Sequence, residues 1–283
     1  MTPFQPPSEA DYLSEALRFI DVCKTDCSCA DHWHYLWAGL KAAGLRRGVY
    51  QQHGAFQQAL EGRRREGMKI LIAGAADAGS LHVLNAALGS IRAEFTVVDH
   101  CPAPLTMVRE YAELAGLDVR TQCSDISQLP PSGPWDLILI HNTLVLIGRA
   151  ARLAALNAAS QALSPGGLIL CNSRYNAPAS RSDQNVLADE IHMIKERLHD
   201  AFRAQPEVVG VIAPLVSHYV ASQDMSMVNR PTRSELMEEI TGAGLEVFDS
   251  IPDEKVLPSI VSARNADLQI RAELLLVRRA SHP

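Results

Sequence analysis

The chain has 283 residues, of which 47% are hydrophobic and 20% charged, and its formal charge is −6. That balance supports a sizeable buried core and argues against a protein that lives on nucleic-acid phosphates, which calls for a basic surface. No apolar run is long enough to span a bilayer, Met1 to Pro7 does not resemble a signal peptide, and six cysteines in so long a chain read as reduced thiols, so a cytoplasmic protein without a membrane partner is expected.

In chain order, a proline-rich start gives way to Ser8, a good N-cap for a helix over Glu9 to Cys23 with Tyr12, Leu13, Ala16, Leu17 and Ile20 on one side. Asp31 can cap the next helix, which contains Trp33, Tyr35 and Trp37 and ends at Gly44. A third helix is predicted over Val49 to Arg65. Residues 1–66 thus read as a helical cap or lid ahead of a second unit, residues 67–283.

The period then changes. Strands are predicted at Lys69–Ala73, Phe95–Asp99, Asp118–Gln122, Trp135–Ile140 and Leu168–Cys171, with helices at Ser80–Leu88, Pro104–Ala115 and Gly148–Leu163. Trp135–Ile140 is a near-continuous apolar run, as expected of a parallel strand covered on both faces. Alternation at this spacing implies an α/β fold with a parallel sheet and right-handed crossovers. The rhythm breaks in an insertion, 172–231, where a polar helix (Asn185–Phe202), a β-like stretch (Val208–Ile212) and a loop (Ser217–Arg230) are expected. A helix over Thr232–Ala243 follows, then strands Leu245–Asp249 and Ala272–Arg278, joined by a link too short for a full crossover and therefore expected as an antiparallel edge pair.

Chemistry concentrates between Lys69 and His100. An apolar run closes on a small-residue loop, Gly74-Ala75-Ala76-Asp77-Ala78-Gly79, and a second apolar run ends on Asp99. This is half of a nucleotide-binding βαβ unit: glycine lets the main chain approach a ligand, and a carboxylate at the strand end can accept both hydroxyls of a ribose.

Five pieces in order carry a family resemblance: Ile72-Ala-Gly74-Ala-Ala-Asp-Ala-Gly79, Val97-Val-Asp99, Ser124-Asp125-Ile126, Trp135-Asp136-Leu-Ile-Leu-Ile-His141 and Leu163-Ser-Pro-Gly-Gly167-Leu-Ile-Leu. The chain resembles a class I S-adenosylmethionine (SAM) dependent methyltransferase, with alanines where the loop usually has glycines and no acidic residue before Gly74. The resemblance implies a Rossmann-like sheet and SAM as cofactor. Gly74, Ala75, Ala76, Asp77 and Gly79 would pass under its methionyl and ribose parts, Asp99 would bind the ribose, His100 or Cys101, with Asp125 and Ile126, would border the adenine, and His141 and Asn142 would sit beside the sulfonium, Asn142 also reaching the substrate. It further implies methyl transfer to a small molecule, with His141 as first candidate base and Tyr175 as second, and Arg174 and Tyr175 as substrate contacts.

Trp33 and Tyr35 read either as core aromatics or as a lid facing the cationic sulfonium. One alternative keeps the cofactor but closes SAM on itself and releases methylthioadenosine, as azetidine-2-carboxylate synthases do. Another is an NAD-dependent enzyme, since Gly74-x-Ala76-x-x-Gly79 with Asp99 approximates a dinucleotide fingerprint. Cys23, Cys27, Cys29, His32 and His34 crowd one segment, but their spacing fits no standard zinc pattern, so no metal is expected. The N-terminal helices offer a homodimer interface.

Overall fold

The computed structural model describes residues 4–29, 33–46, 49–129, 133–175, 184–221, 230–252 and 271–280. Ser8 caps α1 (Glu9–Asp26) in a reciprocal capping box with Asp11. Next come α2 (Trp33–Ala42), a 3-10 turn at Val49–Gln52 and α3 (His53–Leu60). The expected third helix is therefore split and ends short of Arg65. The cap expected at Asp31 lies outside the described residues.

The α/β part runs β1 (Met68–Ala73), α4 (Gly79–Leu88), β2 (Ala93–Asp99), α5 (Pro102–Ala115), β3 (Val119–Cys123), β4 (Trp135–His141), α6 (Arg149–Ala162) and β5 (Leu163–Tyr175). After it come α7 (Gln184–Ala201), α8 (Pro206–Ile212), a helical run over 215–221, α9 (Arg233–Gly242), β6 (Leu245–Pro252) and β7 (Arg271–Arg279). The sheet order is β3-β2-β1-β4-β5-β7-β6. Strands β1 to β5 are parallel, and β7 runs antiparallel to both β5 and β6. This is the Rossmann-like methyltransferase sheet expected from the motifs, with its antiparallel pair at the edge.

Alternation along the strands divides two cores. Ile70, Ile72, Leu137, Leu139, Leu168 and Leu170 face α3, α4 and α5. Leu71, Ile138, Ile140 and Ile169 face α6 and α9. A buried bidentate pair, Arg152 to Glu239 at 2.7 and 2.9 Å, ties α6 to α9. Residues Ser164–Gly167 lie inside β5, where the register shifts between the pairs Trp135–Leu163 and Leu137–Leu168.

A third core is not continuous with the sheet's period. Phe19, Leu36 and Leu40 of α1 and α2 pack with Leu198, Phe202 and Ile212 of the insertion. The β-like stretch Val208–Ile212 is a helix instead: Pro206 starts it, and Val208, Val209 and Ile212 bury one helical face against the cap. Tertiary packing overrides the strand preference of its valines. The loop expected from Ser217 is helical as far as residue 221, and residues 222–229 lie outside the described set.

Candidate active site

The five parallel strands end on one rim, and the motif residues gather there. At the end of β1, Gly74 has φ +88°, and a Cβ added to it would lie 2.8 Å from Thr143 Cγ2. Its N–H donates to the Val98 carbonyl at 2.8 Å. Asp99, buried at the end of β2, accepts the Ala75 N–H on Oδ2 and the Cys101 N–H on Oδ1, both at 2.8 Å. The carboxylate thus shapes the loop, and each oxygen keeps acceptor capacity beyond that one bond. The exposed His100 ring lies 3.4 Å from Asp99 Oδ1.

Asp77 has a different setting from the rest of the loop. Its Oδ2 accepts Lys41 Nζ at 2.7 Å and Trp37 Nε1 at 3.0 Å, and its Oδ1 accepts the Gly79 N–H at 2.7 Å. Lys41 also reaches Glu15 Oε1 at 3.1 Å and lies over the Tyr12 and Tyr50 rings. Burial alone would raise the Asp77 pKa, but the Lys41 charge and hydrogen bond hold it below the usual carboxylate range. Burial and the Asp77 charge raise that of Glu15. A network from α1 and α2 therefore grips the cofactor loop, and its key cation, Lys41, carries no motif that sequence reasoning uses.

Asp125 is exposed; its Oδ1 accepts the Ser127 N–H at 2.7 Å, and that bond lowers its pKa. Ile126 is half-buried against the α6 side of the sheet. At the end of β4, His141 Nε2 lies 2.9 Å from Gln52 Oε1 and 3.4 Å from Asn142 Nδ2. Asn142 takes a left-handed conformation, φ 56°, with its N–H donating to the Asn172 carbonyl at 3.2 Å. A non-glycine residue held there is a local strain of the kind that clusters at functional sites. His141 pairs in register with Asn172 of β5. Asn142 Oδ1, both amide atoms of Asn172 and Ser173 Oγ are buried with no hydrogen-bond partner among the described residues. Neither Asn172 nor Ser173 stands out in the sequence.

The strand period separates the two candidate bases. Tyr175 packs among Cys171, Leu236 and Leu275 on the α6–α9 face, whereas His141 follows Leu137 and Leu139 on the other. Burial, then the Glu273 charge, pushes the Tyr175 hydroxyl far above its ordinary pKa, although the two groups form no well-aligned hydrogen bond. Arg174 precedes it on β5, paired with Ala272. On α2, Trp33 stacks on Tyr219 with centroids 5.6 Å apart and lies 5.7 Å from Trp37, while Tyr35 is buried on another side of the helix. Arg46 donates to the Tyr219 hydroxyl, at 3.0 Å from Nε. Arg230 lies close enough to Arg46 for their charges to repel, and its Nε has no partner among the described residues. A shallow surface hollow lined by Lys69, Glu94, Asp118 and Trp135 lies at the opposite, amino-terminal ends of the strands and takes no part in this site.

The rim fits an adenosyl cofactor: the Gly74 turn leaves no side chain in the way, Asp99 retains acceptor capacity, and the amide atoms of Asn142 and Asn172 have no partner among the described residues. It fits a dinucleotide less well. The antiparallel β7 between β5 and β6 departs from the two parallel mononucleotide halves of a dinucleotide fold.

Residues 70–167 match the family model described as "Methyltransferase domain". Comparison with curated proteins returns no significant sequence match. Among solved structures, the chain is similar to a geranyl diphosphate methyltransferase in complex with SAM, with a TM-score of 0.55 and 12% identity over 92% of this chain and 95% of that one. It is similar to the N-methyltransferase NodS from Bradyrhizobium japonicum WM9 in complex with S-adenosyl-L-homocysteine, with a TM-score of 0.53 and 12% identity over 95% and 99%. A SAM-dependent methyltransferase from Clostridium acetobutylicum ATCC 824 gives 0.52 and 12% over 90% and 100%. At such identities these likenesses speak to the fold, and the domain match speaks to residues 70–167. Residues 70–167 thus carry a methyltransferase domain, on a sheet whose fold is that of SAM-dependent methyltransferases.

Proposed function

We propose that the chain transfers the methyl group of SAM to a small-molecule acceptor on this rim. The observation that supports it most is the gathering there of the Gly74 turn, the Asp99 carboxylate and the unpartnered polar atoms of Asn142 and Asn172. An unsatisfied buried polar group costs about 1–3 kcal/mol, so such atoms are expected where a ligand completes them. When bound, SAM supplies a methyl group on a good leaving group, a sulfonium.

The chain's own residues would then position, shield and move a proton. Gly74, Ala75 and Ala76 would give the cofactor a low floor. Asp99 would hold the ribose hydroxyls, and His100, Asp125 and Ile126 the adenine. Asp77 would act on the loop's shape, since Lys41, Trp37 and the Gly79 N–H occupy its oxygens. His141 would accept the acceptor's proton, with Gln52 orienting its ring. Tyr175, buried and firmly protonated, suits donating a hydrogen bond rather than removing a proton. Residues 1–66 would serve as the cap, joined on the acceptor side by the insertion. Arg46 and Arg230 around Tyr219 favour an acceptor that carries an anionic group.

The test is incubation with SAM alone and then with a small-molecule cell extract, reading the nucleoside products by mass. S-adenosylhomocysteine that forms only with extract is expected. Methylthioadenosine from SAM alone would replace methyl transfer with the cyclising reaction.

A further inference from the structure

We infer that Cys27, Cys29, His34 and Cys101 form a structural zinc site that fastens the N-terminal cap to the cofactor rim. The four ligand atoms lie within 4.8 Å of one another, although they come from three separate places in the chain. Cys27 is the C-cap of α1, Cys29 lies two residues beyond it, His34 is in the first turn of α2, and Cys101 is the N-cap of α5. His34 Nδ1 is 3.1 Å from Cys29 Sγ and 3.7 Å from Cys27 Sγ, and Cys27 and Cys101 sulfurs are 3.9 Å apart.

A tetrahedral zinc with sulfur at about 2.3 Å and nitrogen at about 2.0–2.1 Å holds its ligands roughly 3.5–3.8 Å apart, close to these separations. Three thiolates and one imidazole are the donor set zinc prefers, and four protein ligands leave no open position, which marks a structural centre. The Ser28 N–H donates to Cys101 Sγ at 3.4 Å, the kind of outer bond that steadies a metal-bound thiolate. Bare thiols packed as small hydrophobes explain Cys23 and Cys171, each buried among apolar neighbours. They do not explain a buried imidazole whose ring nitrogen faces sulfurs, which are weak acceptors. The expectation of no metal rested on ligands near Cys27 in sequence; Cys101 lies 74 residues further on.

The Cys101 N–H is also one of the two backbone donors on Asp99. A metal there would hold the α1–α2 turn, the start of α5 and the ribose carboxylate as one unit. This inference concerns metal content and does not depend on the acceptor proposed above.

The full chain would be expressed with added zinc, purified under reducing conditions without chelator, and its metal measured by mass spectrometry. About one zinc per chain is expected, retained in Cys123→Ser and Cys171→Ser and lost in Cys29→Ser and Cys101→Ser. Cobalt loading of the unaltered chain should give thiolate-to-cobalt charge transfer and tetrahedral ligand-field bands, which keeps the test decisive if the variants fail to fold. A folded chain with no stoichiometric zinc and no such bands, or a disulfide among these cysteines under reducing conditions, would overturn it.

Discussion

Lys41→Met removes one positive charge from between two buried carboxylates while keeping most of the side chain's volume. Lys41 and Asp77 are 5% and 7% exposed, their charged atoms are 2.7 Å apart, and Glu15 completes the network at 3.1 Å. Losing one partner of a buried ion pair costs about 3–5 kcal/mol, because the other charge stays uncompensated. Against a typical stability of about 5–15 kcal/mol, that is a large share. The lowered Asp77 pKa gives stability that is present above about pH 3.9 and lost as pH falls through its folded value. The raised Lys41 pKa gives stability present below about pH 10.4 and lost as pH rises through its folded value. The raised Glu15 pKa opposes both by costing stability above about pH 4.3, and more so once the cation is gone. Urea unfolding with an unchanged slope should therefore show Lys41→Met losing several kcal/mol near neutrality and less at mildly acidic pH, where a carboxylate takes up a proton. Adding Asp77→Asn should recover part of the loss. A single-variant loss under about 1 kcal/mol, or one independent of pH, would refute the network's role.

Four further outcomes follow from the same geometry. Asp99→Ala should weaken SAM binding by about 1–3 kcal/mol in calorimetry, and unchanged affinity would remove Asp99 from the cofactor site. Gly74→Ala, at φ +88° and pressed against Thr143, should abolish measurable SAM binding; a fully binding variant would show the turn can relax. His141→Ala should lower kcat by about 10²–10⁴ with little change in the KM for SAM, and a change in KM alone would make it a binding residue. Arg152→Met should cost about 3–5 kcal/mol in denaturant unfolding by stranding Glu239 between α6 and α9, and a neutral result would show that water reaches that pair.

By itself, the sequence determined whatever depends on neighbours along the chain. Apolar runs and the breaks between them placed β1 to β5, Ser8 marked the start of α1, and the spacing from Gly74 to Asp99 and on to His141 placed the rim, because strand ends in a parallel sheet share one edge. Tertiary structure decided what depends on distant partners. Val208–Ile212 became a helix because the cap offered it an apolar surface. Strand period put Tyr175 and His141 on opposite faces. Lys41 found Asp77, and Cys101 found Cys27, Cys29 and His34, only when α1 and α2 packed against the Gly74–Gly79 loop and the start of α5. A side chain's charge or softness is written in its identity, but the partner that gives it a role is chosen by packing between segments that the linear order keeps apart.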